Sequence, residues 1–246
     1  MSLKNPRIYS ITGMVLFGLG LAIGLFLWTG TVWADLEGYM FQPAPHADRS
    51  EYFLQCPKLI TTSDFGIISI GIENNDDKDV RKVVRGNKSL GFLIYIAADE
   101  TTLELKPGES EVVHWYIYPE DAAWDRFVLF RVNIISSNAP ALTTASCGVM
   151  VVNVPFLNSN QLLFGLLLLG FIFITSGIFL MNQYSKQVGD VENKTVRLFI
   201  ILTGILIIGL ILSMFGQWLI GGLLLVVMYL LLVVSITHYI QKSTDK

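Results

Sequence analysis

Read for apolar and polar positions, the chain has two textures. Uncharged apolar runs occupy 8–34, 156–181 and 198–241, and between the first two lies a block in which apolar and polar residues alternate. A helix rises about 1.5 Å per residue, so about 20 residues cross a hydrocarbon layer of about 30 Å. The first two runs therefore predict one transmembrane helix each, over 8–34 and 156–182. As one helix, the 44 residues of 198–241 would be about 66 Å long, twice that thickness. They must fold back, and Gly216-Gln217-Trp218, followed by Gly221 and Gly222, is the predicted turn between helices over 198–216 and 218–240.

The alternating block predicts strands. Ile68, Ile70 and Ile72 alternate with Ser69 and Gly71, and Phe92, Ile94 and Ile96 with Leu93 and Tyr95. Val113, Trp115 and Ile117 alternate with His114 and Tyr116, and Val128, Phe130, Val132 and Ile134 with Leu129, Arg131 and Asn133. A short strand at 101–105 and a last one near 146–154 bring the number to six or seven, separated by turns at 74–79 and at Lys106-Pro107-Gly108-Glu109. Two antiparallel sheets packed face to face are the ordinary solution, a β-sandwich over 56–154. Residues 35–55, with Pro43, Pro45 and His46, lack a period and read as a linker.

Composition fixes the setting. Residues are 52% hydrophobic and only 15% charged. From Asp35 to Arg131 there are 17 carboxylates against 10 basic residues, while the rest of the chain carries 7 basic against 3 acidic. Positive charge stays on the cytoplasmic side. The expected arrangement is a four-helix multi-pass protein of the cell membrane, with 1–7, 183–197 and 241–246 cytoplasmic and 35–155 extracytoplasmic. Trp28, Trp33 and Trp218 at the outer ends and Tyr9, Tyr184 and Tyr239 at the inner ends are the expected interfacial anchors. A cleaved signal peptide is the competing reading of the first run, since Val32 and Ala34 are small. That run, however, exceeds the roughly 7–15 apolar residues of a signal core.

Candidate chemistry is sparse. Cys56 and Cys147, the only cysteines, both fall in the exported block and are expected to form a disulfide, with Cα atoms within about 7 Å; free thiols or a metal pair are the alternatives. Gly20 and Gly24 form a G-x-x-x-G pair, read either as a helix-packing notch or as ordinary membrane-helix glycines. Tyr229 needs a hydroxyl partner and should face the bundle or another subunit, a neighbouring carbonyl being the plain choice. His238 sits at the inner boundary. Asn74-Asn75-Asp76-Asp77-Lys78-Asp79 offers oxygens for calcium but lacks the glycine and glutamate of a calcium loop, and reads as a hairpin turn. His114 with Glu109 or Glu111 lacks a nucleophile at useful spacing, so no enzyme, cofactor or metal is expected. Asn87-Lys88-Ser89 and Asn193-Lys194-Thr195 match the glycan acceptor pattern, the second on the inner side.

The stretches "IGIENNDDKDV", "LELKPGESEVVHWYI" and "CGVMVVNV" resemble immunoglobulin-like or fibronectin-like modules of bacterial and archaeal surface proteins, over roughly 64–154. That resemblance implies a spacer or binding platform. His114, Tyr116 and Tyr118 line the outward side of one strand, facing either a partner protein or a covering layer such as the membrane surface. Spans without Asp, Glu, Lys, Arg or proline weigh against a transporter. The expected function is an accessory or assembly subunit of a membrane complex, with lipids and other subunits or further copies as partners and no nucleic acid. The layout is also similar to that of claudins, junction and adhesion proteins, but it lacks their W-G-L-W-C-C type signature and has a much longer first loop.

Overall fold

The computed structural model describes residues 6–40, 48–49, 54–89, 95–137, 142–188 and 190–244. They form two compact units, a helical one from Met1–Val32 and Leu162–Lys246 and a β-rich one over Trp33–Gln161. Among the described residues, four helices are long and apolar enough to cross a membrane. They are α1 (Pro6–Met40), α2 (Ser159–Val188), α3 (Asp190–Met214) and α4 (Trp218–Thr244).

In the helical unit, small residues set the packing. A Cβ on Gly20 would lie 2.8 Å from the Gly170 carbonyl oxygen, and one on Gly177 2.8 Å from that of Gly13, so α1 and α2 meet backbone to backbone in antiparallel order. Small residues that let backbones approach this closely are a common way of packing apolar helices. Gly20 and Gly24 do not form one notch. Gly20 meets α2, whereas Gly24 meets the Leu206 side chain of α3. The Gly13 and Gly20 pair, seven apart, does what the G-x-x-x-G spacing suggested. Phe17 stacks on Phe199 of α3 at 3.9 Å between centroids.

Trp28 is a correction. It is fully buried in the bundle core, not an interfacial anchor, because Gly209 of α3 leaves the slot its ring fills; a Cβ at Gly209 would fall 2.0 Å from the ring. The polar loop expected at 183–197 is mostly helical, with α2 running to Val188 and α3 starting at Asp190. Gln183, Lys186, Gln187, Glu192, Lys194 and Arg197 are good helix formers, so charge there marks the end of the apolar stretch and not the end of the helix. The fold-back at 216 is present, with Gly216 at φ 71°, where a side chain would be strained.

The β unit starts within α1, whose last turns replace the first residues of the expected linker. The strands are β1 (Asp48–Arg49), β2 (Leu54–Gln55), β3 (Leu59–Thr61), β4 (Gly66–Glu73), β5 (Val80–Ser89), β6 (Tyr95–Leu105), β7 (Ser110–Ile117), β8 (Phe127–Ser136) and β9 (Leu142–Val152). The larger sheet has the order β1-β9-β8-β5-β6, with β3 also on β9; the smaller is β2-β4-β7. Short β1 and β3 run parallel to β9, and the other pairs are antiparallel. One apolar core joins the sheets. Ile68, Ile70, Ile72, Val113, Trp115 and Ile117 of the smaller meet Val84, Leu105, Val128, Phe130, Val132 and Val149 of the larger.

Several expectations change here. Strand β5 was not foreseen, because its inward positions read Val80, Lys82, Val84 and Gly86; Lys82 is buried, and its Nζ donates to the Glu73 carbonyl at 2.6 Å. The strands expected at 92–96 and 101–105 are one continuous strand from Tyr95, since nothing between Ala97 and Glu100 breaks it. Phe92, Leu93 and Ile94 lie outside the described residues, as do Pro43, Pro45 and His46. Strand β9 starts at Leu142, earlier than expected, and α2 starts at Ser159, after Pro155.

Residues 74–79 are not a hairpin turn. They carry the chain from β4 in the smaller sheet to β5 in the larger. Asn74 holds this corner from a fully buried position: its Nδ2 donates to the carbonyls of Lys78 (2.8 Å) and Leu105 (2.9 Å), and its Oδ1 accepts from the Asp76 N–H at 3.1 Å.

Candidate functional site

Strand β7 is the organising element. Its period of two sends Val113, Trp115 and Ile117 into the core and Val112, His114 and Tyr116 outward, with Tyr118 following just past the strand. Below it, Trp115 lies against Phe130 at 5.3 Å between centroids, and both press on Gly86. A Cβ at Gly86 would come within 2.7 Å of the Trp115 ring nitrogen. The register shift in β5 between Arg85 and Asn87 places that glycine under the ring.

On the outward side, β4 lies beside β7 with Ile67 opposite Tyr116, Ser69 opposite His114 and Gly71 opposite Val112. Ile67, Val112, Tyr116 and Tyr118 are each about half exposed. Phe65 gathers the two tyrosines, its ring 5.8 Å from Tyr116 and 6.2 Å from Tyr118. Lys88 reaches over Tyr118 at 5.9 Å from its centroid, and its ammonium is held by Asp121 at 2.6 Å. The Asp121 carboxylate also accepts the Tyr118 N–H at 2.9 Å, which fixes the chain as it leaves β7. The predicted trio His114, Tyr116 and Tyr118 thus shares one exposed face with Phe65 and Ile67, which the sequence reading did not include.

No acid–base pair forms around His114. The Glu109 carboxylate closes the Lys106–Glu109 turn by accepting the Lys106 N–H at 2.9 Å, and Glu111 points to the other side of β7. Among the described residues, no group of three or more His, Cys, Asp or Glu is placed to hold a metal ion.

A second cluster ties α1 to β9. Cys56 and Cys147 are disulfide-bonded, with Cα atoms 6.6 Å apart. Buried Asp35 accepts from Lys58 Nζ at 3.1 Å and from the Gly148 N–H at 3.3 Å. Gly148 has no room for a side chain, because its Cβ would sit 1.8 Å from the Ala34 carbonyl oxygen. A third cluster starts α2. Asp64 accepts the Ser159 N–H at 3.0 Å, the Ser159 hydroxyl accepts the Thr61 N–H at 3.2 Å, and Gln161 accepts the Asn158 N–H at 3.2 Å. The Ser159 N–H holds the Asp64 carboxyl below its ordinary range.

The other named residues are spread out. Tyr229 is 43% exposed and bonds the Thr29 hydroxyl at 2.9 Å, a side-chain partner where a carbonyl was expected. Trp33 is exposed and donates to Glu37, while Tyr9, Tyr184 and Trp218 are half-buried. The side chains of His238 and Tyr239 lie outside the described residues.

No family model matches the chain, and no curated relative does. Among solved structures, the CARDB domain of a Pyrococcus furiosus protein, in complex with di-metal ions, is 16% identical with a TM-score of 0.33, over 46% of this chain and 100% of that one. A β-glucosidase from Listeria innocua is 17% identical with a TM-score of 0.31, over 43% of this chain. The β-glucosidase EmGH1 from Erythrobacter marinus is 21% identical with a TM-score of 0.28, over 41%. The chain spans only 16% and 15% of the lengths of these two enzymes. It is therefore similar, over less than half its length, to an immunoglobulin-like CARDB domain and to segments of β-glucosidases, and at these scores neither likeness assigns it a family or an activity.

Proposed function

We propose that the protein is a multi-pass membrane protein that displays an immunoglobulin-like sandwich outside the cytoplasm and docks another membrane-complex subunit on the outer face of β4 and β7. The observation that carries this reading is the contiguous run of half-exposed Ile67, Val112, Tyr116 and Tyr118 around His114. Monomeric surfaces rarely leave such rings together without use, and tyrosine is enriched where partners meet. The acidic balance of the β unit and the basic ends of the apolar helices support the orientation. Helices without charged residues in their apolar runs support an anchoring role for the bundle.

Photo-crosslinking in native membranes tests it. A benzophenone side chain at Tyr116 should trap one defined partner that also copurifies after mild detergent extraction, and the same group at Glu104, on the larger sheet, should not. A monodisperse lone monomer with no crosslink at Tyr116 would overturn the reading.

A further inference from the structure

We infer that the end of the β unit from which α2 springs is an aromatic rim that inserts into the headgroup layer of the bilayer. This rests on the membrane reading above, and Tyr118 is where the rim borders the partner face of Ile67, Val112, His114 and Tyr116.

Three connections far apart in sequence, 62–65, 118–126 and 153–158, converge at that end. Gly66 pairs with Ile117, so Phe65 and Tyr118 emerge side by side. The Val151 N–H donates to the Arg126 carbonyl at 2.7 Å, which brings the Trp124 turn beside the close of β9. The Ser63 hydroxyl donates to the Leu157 carbonyl at 3.2 Å, and Asp64 holds the first N–H of α2. The side chains presented there are Phe65, Tyr118, Trp124 and Phe156, exposed by 49%, 48%, 55% and 90%. Trp124 and its neighbour Asp125 have φ of 51° and 56°, an uncommon conformation for such residues, and it leaves the indole on the surface.

The occupant follows from continuity. Phe156 and Leu157 are joined through one residue to Ser159, the first residue of a helix apolar enough to span a bilayer. The residue next to Phe65 caps that same helix. Trp, Tyr and Phe rings favour the layer between water and hydrocarbon, and tryptophan and tyrosine do so most. Charge points to neutral lipid. Asp64, Glu120 and Asp125 outnumber Arg126, while Lys58 and Lys88 are each engaged by a carboxylate. Insertion by rings should therefore need no anionic lipid and should resist salt.

The test uses the full chain, one copy per phosphatidylcholine nanodisc. The fluorescence of Trp124 is taken as wild type minus Trp124→Phe. A nitroxide on the lipid headgroup should cut it about twofold, one at the acyl-chain end should have little effect, and added salt should change neither. Phe156→Ser should weaken the headgroup quenching without moving the melting of the sandwich, because that side chain is 90% exposed. Phe65→Trp in the Trp124→Phe background reads a second rim position. Trp124 quenched by aqueous acrylamide and by neither lipid probe overturns the inference and leaves the partner face standing. A chain that fails to float with liposomes overturns both.

Discussion

Removing the Cys56–Cys147 disulfide offers the most quantitative test of how the β unit is held. The bridge closes a loop of 91 residues, and for a free chain the entropy model gives about 4.6 kcal/mol at 25 °C. The free chain is the wrong reference, however, because α1 and α2 stay paired through Gly13, Gly20, Gly170 and Gly177 when the sheets open. A second path, Met40 to Cys56 and Cys147 to Ser159, then links the two cysteines through about 28 residues. The two paths in parallel behave like one loop of roughly 20 residues, and the contribution falls to about 3.3 kcal/mol. For the β unit of Trp33–Gln161 that is roughly 10–15 °C in melting temperature. The double variant Cys56→Ala and Cys147→Ala, in nanodiscs and followed by near-ultraviolet circular dichroism, should show that drop. A change under about 4 °C would mean that the open state is already ordered near the bridge and would refute the reasoning.

Other substitutions probe single contacts. Asn74→Ala leaves the buried Leu105 carbonyl and the part-buried Lys78 carbonyl without their donor and should cost about 1–3 kcal/mol in chemical unfolding. Lys58→Met strands the buried Asp35 carboxylate and should cost about 3–5 kcal/mol, much of it restored by adding Asp35→Asn. Gly148→Ala collides with the Ala34 backbone and should raise the accessibility of Cys147 to reductant. Asp64 has a lowered value when folded, so its stabilisation of α2 is fully present above the ordinary carboxylate range and is lost as pH falls through that lower value. Hydrogen exchange at the Ser159 amide should speed up in that acid window and not near neutrality.

The apolar helices and strands β4, β7 and β8 were legible because one period, sustained over several residues, dominates each of them. Strand β5 was hidden by Lys82, whose ammonium bonds a carbonyl inside the sandwich, and by Gly86, which is small because Trp115 lies on it. Trp28 was misplaced for a related reason. A tryptophan near a helix end suits an interface or a slot, and only Gly209, on another helix, decides. The outward side of β7 could be read from alternation, whereas the rim could not. Phe65, Tyr118, Trp124 and Phe156 are scattered along the chain, and their common location is set by pairing register and by the loop contacts Ser63–Leu157 and Arg126–Val151.

The two parallel pairs on β9 bear on the timing of synthesis. Asp48 to Arg49 and Leu59 to Thr61 find their partners only at Thr143 to Thr144 and Met150 to Val152. The earliest strands to be made therefore wait for the last one, and the larger sheet is completed only when the ribosome has already begun α2. A nascent chain of this kind keeps the long-range pairs of its larger sheet open until late in synthesis, and its first strand edges stay unpaired for that time.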